Sequence, residues 1–253
     1  MGTAWAEIVC NYAMPVIDDV RLSDQMEENP ALFFRRMSLY VDLAIPSLSR
    51  PPELDSMLKN QLQKPIYGDE TWISTQESTT QQTVISTGYI NHDMFSCALR
   101  TVDSSGVVTA TPMPDVTYNA ETGEVTFPVQ AAAGLEYSLD FYTDGSFYSD
   151  LTEAQKRLLG MAVGVVWDER FSRNWLNIQS KVKDSSFDTV NESNYMREVQ
   201  SRLVTNRKLL NDELRKYEQD VAYSNTIVPN PGIKYVYGYK EGLIVVCPVS
   251  KLI

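Results

Sequence analysis

Histidine and cysteine are scarce in this chain of 253 residues, which contains one histidine and three cysteines. Cys10, Cys97 and Cys247 lie far apart and form no CxxC pair, so neither a zinc site nor a disulfide framework is predicted, and folding in a reducing compartment is expected. The lone His92 lies in a predicted turn, where a solvated side chain is expected. The chain also lacks a P-loop and a GxGxxG motif. We therefore predict no catalytic, metal-binding or cofactor-binding residues.

The chain also has fewer basic than acidic residues and no long apolar run. Lys and Arg total 22 against 33 Asp and Glu, so the formal net charge is -11. A broad basic face for nucleic acid is therefore not expected. The acidic surface serves solubility or, alternatively, lets DNA slide past without adhering. No apolar run approaches the ~18 residues of a membrane span, and the first residues do not form a signal peptide, so no membrane partner is predicted.

Helical signals begin near Asn29. This residue and Pro30 have the types preferred at a helix cap and at the first helical position. Apolar residues then recur at helical spacing over residues 31–45, and Pro46 is expected to end or kink that helix. A second short helix is predicted from Pro51 to about Leu62.

Residues 71–147 are rich in Thr, Val, Ser, Tyr and Ile, with frequent turn residues. This composition predicts about seven short strands, arranged as a small antiparallel sandwich or barrel between two helical stretches. The strand over residues 135–142 alternates in polarity, so one of its faces is predicted to be buried. Glu136, Asp140 and Asp144 are the nearest candidates for a pair of glycosidase carboxylates, and exposed acids on a strand are the simpler interpretation.

The stretch from Leu151 to Asn225 organises the chain. It opens with a predicted capping box formed by Thr152 and Gln155. Gly160 and Gly164 follow, and their spacing would let another backbone come close.

An aromatic and arginine cluster then runs from Trp167 to Trp175. We expect it to pack at a helix junction, with its arginines paired to Asp168, Glu169 or a neighbouring subunit. Stacking on a nucleotide or a carbohydrate is the alternative.

A last long helix is predicted from Asn194 to about Tyr223. An apolar residue recurs there every seventh position, which gives a narrow stripe on a polar helix. The stripe and its flanking charges favour contact with copies of the same chain through ion pairs, while a solvated face held by i,i+4 pairs is the alternative. Residues 233–239 and 243–249 predict a hairpin, which should pair with the β region or with another chain.

These elements together resemble a known family. A helix from Leu158 to Trp175 ends in aromatic and Arg residues, and a long charged helix ends in Leu214-Arg215-Lys216-Tyr217-Glu218. Over about residues 30–225 the chain resembles the head-to-tail adaptor (connector) proteins of tailed bacteriophages, especially the podovirus gatekeeper type. The resemblance implies an α+β fold. A helical bundle (1–68 and 150–228) would carry an inserted antiparallel β domain (69–149) and a C-terminal hairpin tail (229–253).

The resemblance also implies a structural role in the virion neck, for a protein made in the host cytoplasm. Such adaptors form a twelvefold ring on the portal and present a platform for the next tail or neck protein. They help to retain the genome and form part of its exit channel, through which DNA passes without sequence-specific binding. They have no catalytic residues, and their C-terminal segment docks on the portal. The candidate subunit and portal interface residues are Arg197, Arg202, Leu203, Arg207, Leu210, Leu214, Tyr217, Tyr235, Tyr237, Leu243 and Val245.

Three alternatives stay open at this point. One is a different structural role, as a tail-completion or baseplate subunit. Another is a carbohydrate- or receptor-binding module that uses tyrosines of the β domain such as Tyr118, Tyr137 and Tyr142. The last is a hydrolase with carboxylate chemistry at Glu136.

Overall fold

A computed structural model of the chain describes residues 2–17, 19–60, 62–74, 83–128, 133–181, 189–226, 235–240 and 243–248. Helices and antiparallel sheets both contribute, so the predicted mixture of the two is confirmed. The chain forms two compact units, one extending to Leu214 and the other beginning at Arg215. Within the part of the chain that is described, no helix combines the length and the apolar character needed to cross a membrane.

The first unit opens with a helix that the sequence patterns did not reveal. It consists of α1 (Trp5–Ile8), a π turn (Val9–Ala13) and α2 (Met14–Ile17). In the π turn the Met14 amide donates to the carbonyl of Val9, five residues earlier. Pro15 follows directly, and a proline ring crowds the carbonyl four residues before it. The wider π turn relieves that crowding, which explains its position.

Of the next helices, those beginning at Pro30 and Pro52 follow their sequence signals, while the one over residues 20–28 was not predicted. These helices are α3 (Val20–Glu28), α4 (Pro30–Ala44), a 3-10 turn (Ile45–Leu48) and α5 (Pro52–Asn60). The side chain of Asn29 accepts a hydrogen bond from the Leu32 amide at 2.8 Å, so the predicted cap is confirmed. Leu62, which we placed at the end of the second helix, instead pairs with Phe147 in a short strand.

Nine strands follow within the described part of the first unit. They are β1 (Leu62–Gln63), β2 (Ile66–Ile73), β3 (Thr83–Ser86), β4 (Met94–Val102), β5 (Val108–Pro112), β6 (Thr117–Asn119), β7 (Glu124–Phe127), β8 (Glu136–Thr143) and β9 (Ser146–Phe147). One antiparallel sheet has the order β2-β8-β4-β5 and another the order β3-β7-β6, while β1 pairs with β9. Gly123 has φ +71° in the turn before β7, a conformation that suits glycine.

The two larger sheets share one apolar core. Its buried members are Cys97, Val116, Val125, Phe127, Tyr137, Leu139 and Phe141. Because strands of both sheets supply this core, the arrangement is a small sandwich, and no closed barrel forms among the described strands.

Strand β8 is buried on part of both faces. Tyr137, Leu139 and Phe141 face the sandwich core as predicted, but Asp140 and Tyr142 are buried as well. Helix α4 covers their side of the sheet. The ring of Phe34 stacks on that of Tyr142 with centroids 6.1 Å apart. The expectation that Asp140 is an exposed acid is therefore wrong.

Two long helices complete the helical part of the chain. They are α6 (Glu153–Lys181) and α7 (Thr189–Thr226). Helix α7 runs across the boundary at Leu214, so its last part belongs to the second unit. The second unit also contains the predicted hairpin, formed by β10 (Tyr235–Lys240) and β11 (Leu243–Pro248).

Candidate assembly surface on the long helices

Helix α6 begins where its sequence predicts. The Thr152 amide donates to the Gln155 side-chain oxygen at 2.8 Å, and the Gln155 amide donates to the Thr152 hydroxyl at 3.4 Å. This reciprocal pair confirms the capping box, which satisfies amides that a helix start leaves free.

The two glycines of α6 admit the N-terminal helix of the same chain. A Cβ atom on Gly160 would lie 2.7 Å from the carbonyl carbon of Tyr12, in the π turn. A Cβ atom on Gly164 would lie 2.6 Å from Cγ1 of Val16. The close backbone approach predicted from their spacing therefore occurs inside the chain.

Asp168 is a buried carboxylate that joins α6 to α7. Its side chain is 1% exposed, and Arg202 Nη2 donates to its Oδ1 at 2.6 Å. Asn206 Nδ2 donates to its Oδ2 at 3.2 Å. A buried charge is tolerated only when it is paired and hydrogen-bonded, and both oxygens here have a donor. Arg202 and Asn206 lie one helical turn apart, so they share one face of α7. Their bonds to Asp168 therefore direct that face of α7 toward α6.

A more exposed ion pair lies beside it. Arg207 donates from Nε at 3.2 Å and from Nη2 at 2.7 Å to the same oxygen of Glu169. The Arg207 side chain is 50% exposed, so solvent screens this pair strongly. Arg202 and Arg207 were predicted to contact neighbouring copies, which stays a prediction, and in the single chain both bind acids of α6.

The aromatic cluster packs where α6 meets α4. The ring centroids of Trp167 and Tyr40 are 4.9 Å apart, which confirms helix-junction packing for Trp167. The Arg170 guanidinium lies 5.2 Å from the centroid of the Tyr40 ring. We expected Arg170 to pair with Asp168, Glu169 or a neighbouring subunit; within the single chain it lies against Tyr40. The side chains of Arg173 and Trp175 are outside the described part of the chain.

The predicted apolar stripe of α7 points largely inward. Leu210 is 5% exposed, and Leu203, Leu214 and Tyr217 are half-buried. Leu210 is therefore already covered within one chain. Arg202 and Asn206, which bind Asp168, lie on the same side of α7 as the heptad residues. The heptad residues therefore lie on the face of α7 that is turned toward α6.

The opposite side of α7 forms a continuous exposed surface, which we call the outer face. Successive members lie three or four residues apart, the spacing of one helical face. All of them are exposed: Arg197, Ser201, Val204, Lys208 and Asn211. Val204 is 66% exposed. The outer face thus combines two cations with an apolar side chain.

The tail candidates lie in the second unit. Tyr235 and Tyr237 belong to β10, and Leu243 and Val245 belong to β11. Tyr237 is opposite Val246 in the antiparallel register, and Gly238 is opposite Val245. Only the backbone of this hairpin is described. Neither strand pairs with another strand among the described residues.

The carboxylates of the β domain have partners that suit a structural role. Glu136 forms an ion pair with Arg100, and Asp140 accepts a hydrogen bond from Asn29 Nδ2 at 3.1 Å. Asp144 accepts the Ala6 amide at 3.1 Å, and burial raises the pKa of its carboxyl. The Glu136 pair joins β8 to β4, and the other two contacts join the β domain to the N-terminal ends of helices, so they do not favour the hydrolase alternative.

The other groups singled out in the β domain are also buried or packed. Tyr137 and Tyr142 are each 1% exposed, so neither can offer a ring to a carbohydrate. His92 is half-buried in its turn, with its ring edge-on to Tyr89 and Phe141. Burial raises the pKa of the Cys97 thiol to about 12, which keeps it protonated.

Comparison of the chain with known protein families, with curated proteins and with solved structures gives no match. Among the described residues there is no group of three or more His, Cys, Asp or Glu side chains able to hold a metal ion.

Proposed function

We propose that the protein is a structural subunit of a tailed-phage virion, a head-to-tail adaptor that forms a ring between the portal and the tail. The outer face of α7 is the observation that carries this proposal. A helix of 38 residues leaves one side uncovered, with Val204 exposed and with Arg197 and Lys208 making no ion pair to a described carboxylate. Such a surface suits contact with another protein copy.

The rest of the architecture supports the same role. A helical part carries a β sandwich between its helices, and α6 and α7 are joined by ion pairs that fix which side of α7 faces out. A neighbouring subunit would meet a surface that is set before assembly, which limits the ordering entropy lost on binding. The acidic balance of the chain supplies carboxylates for Arg197 and Lys208 on the neighbour.

The remaining parts of the proposal concern the portal, the tail and the genome. A hairpin whose outer edges are unpaired among the described strands suits strand addition to a partner, so residues 235–248 are proposed to dock on the portal. A net charge of -11 repels phosphate, which suits a channel that DNA traverses without adhering. The opposite end of the ring would then receive the next tail or neck protein.

The proposal is tested by native mass spectrometry and electron microscopy of the full chain, alone and mixed with the portal protein of the same phage. We expect rings, most simply of twelve copies, in at least the mixture. Val204→Asp should reduce ring formation at least tenfold, because it places a charge in the proposed contact. Val84→Asp is the matched control, since Val84 is 54% exposed in β3 of the sandwich.

Each result decides something. A chain that stays monomeric and ignores the portal overturns the adaptor proposal. Rings that form equally well with Val204→Asp retain the adaptor role but exclude the outer face of α7 as the contact. If Val204→Asp and Val84→Asp reduce ring formation equally, the loss is a general effect of added negative charge and does not show a specific interface.

A further inference from the structure

A cleft separate from the outer face of α7 opens where α3, α4 and α6 meet. Its volume is about 270 Å³. One wall is apolar, with Leu22, Phe33, Met37 and Leu39, and the other is formed by Tyr40 and Trp167. Arg36 and Arg170 stand at its rim, beside Gln25.

The two arginines of this cleft have no carboxylate partner among the described residues. Arg36 Nη1 donates to the neutral side chain of Gln25 at 3.3 Å. The Arg170 guanidinium lies 5.2 Å from the centroid of the Tyr40 ring and hydrogen-bonds the Tyr40 side chain. Both cations act on the Tyr40 hydroxyl. Burial raises the pKa of Tyr40, and the charges of Arg170 and Arg36 oppose that shift.

The cleft arginines share this lack of a described carboxylate partner with other cations of the chain, such as Arg197 and Lys208. Acids outnumber bases by 33 to 22 in the sequence, so carboxylates are plentiful. Some arginines of the described chain pair with a carboxylate, as Arg100 does with Glu136 and Arg202 does with Asp168. At the cleft, two arginines line a space to which no acid of the described chain contributes.

We propose that this cleft binds an acidic segment of a protein partner, with one carboxylate held between Arg36 and Arg170 and an adjacent apolar side chain against Leu39, which is 49% exposed. Guanidinium groups match carboxylate oxygens in geometry, and their hydrogen bonds to charged acceptors are the stronger ones. The inference is independent of the ring, since the cleft lies on other helices than the outer face.

A nucleic acid fits the cleft less well. Base recognition by stacking needs a free aromatic face, but the Trp167 ring is packed on Tyr40 at 4.9 Å between centroids. Two cations in a chain of net charge -11 also provide a small phosphate-binding surface. A single carboxylate with an apolar neighbour matches both the charge and the apolar wall.

The test uses the full chain labelled with 5-fluorotryptophan and observed by fluorine NMR, with Trp167→Phe to assign the Trp167 signal. The probes are the blocked peptide acetyl-Leu-Glu-Phe-amide and its Gln counterpart. We expect the Glu peptide to shift the Trp167 signal saturably and the Gln peptide to bind at least tenfold more weakly. Arg170→Gln and Arg36→Gln should each weaken binding of the Glu peptide about tenfold.

Arg157→Gln is the matched control, because Arg157 is exposed on α6 outside the cleft and should leave binding unchanged. The signals of Trp5 and Trp72, which are assigned in the same way, report whether each variant is folded. The proposal is overturned if the Glu peptide causes no shift, if the Gln peptide binds equally well, or if folded arginine variants bind normally. Binding of an oligothymidylate that is lost in the same arginine variants would also overturn it, in favour of a nucleic-acid site.

Discussion

Asp168 shows how one buried side chain orients a whole helix. Its two oxygens take donors from Arg202 and Asn206, which lie on one side of α7, so the charged and apolar residues opposite them must face outward. Glu169, the next residue, pairs with Arg207, and the side chains of this pair are more exposed to solvent, at 28% and 50%. The two pairs therefore offer a comparison between buried and exposed ion pairs in one hairpin.

Arg202→Ala should destabilise the chain much more than Arg207→Ala. The first variant leaves the buried Asp168 carboxylate with Asn206 as its remaining side-chain donor, and because Arg202 itself is 39% exposed we expect a loss of about 2 kcal/mol. The second removes a pair in which the arginine is 50% exposed, a loss of roughly 0.5 kcal/mol. Urea unfolding followed by circular dichroism measures both, and equal losses would contradict the burial argument.

The raised pKa of Asp144 predicts the direction in which the stability of the chain changes with pH. Burial is the main cause of its raised pKa, against an ordinary value of 3.8, so the folded chain binds the proton more tightly than the unfolded chain. Its contribution to stability is full below 3.8 and is lost as pH rises through the folded pKa. Asp144→Asn removes this term, so the variant should gain stability relative to the parent as pH rises from 3.8.

Urea midpoints of parent and Asp144→Asn between pH 4 and pH 7 provide the measurement. Asn can still accept the Ala6 amide through its oxygen, which keeps the main contact. A difference between the two proteins that does not change with pH would show that titration of Asp144 is not involved.

Helix α6 and the N-terminal helix fit together through two glycines of unequal importance. A methyl group on Gly160 would meet backbone atoms of Tyr12, at 2.7 Å and 2.8 Å, whereas one on Gly164 meets the end of the Val16 side chain. Backbone cannot move aside without shifting the whole turn, but a valine methyl can rotate.

Gly160→Ala should therefore destabilise by about 2 kcal/mol, against the usual gain of roughly 1 kcal/mol for this change in a helix. Gly164→Ala should be close to neutral, since the helical gain offsets a smaller overlap. Thermal unfolding of the two variants at equal concentration compares them. If both variants were stabilised equally, the close approach of the N-terminal helix would not exist in solution.

Local sequence signals predicted the elements of this chain better than their packing. The Asn29 cap, the capping box at Thr152 and the strands over residues 83–86 and 94–102 were correct because each depends on adjacent residues. The helix over residues 5–17 was missed, since its π turn breaks the regular spacing and Pro15 discourages a helical interpretation. Leu62 was misplaced because its strand partner, Phe147, is far away in sequence.

At the scale of the whole molecule, the sequence could not show which helix face would be covered by its own chain. The heptad line through Leu203 and Leu210 has the same appearance whether it meets a neighbour or the same chain. Only the position of Asp168 on α6, opposite Arg202 and Asn206, decides that it faces inward. The partners of Asp168 likewise lie more than thirty residues away along the chain.

The π turn near the start of the chain changes the direction in which successive buried side chains point around the helix axis. The buried residues Trp5, Val9, Ala13 and Ile17 are spaced by four, and in a regular α-helix each such step drifts about 40° around the axis. A turn with more residues per revolution, placed from Val9 to Ala13, cancels part of that drift. The segment can therefore keep one line of side chains directed at a straight neighbour without coiling around it.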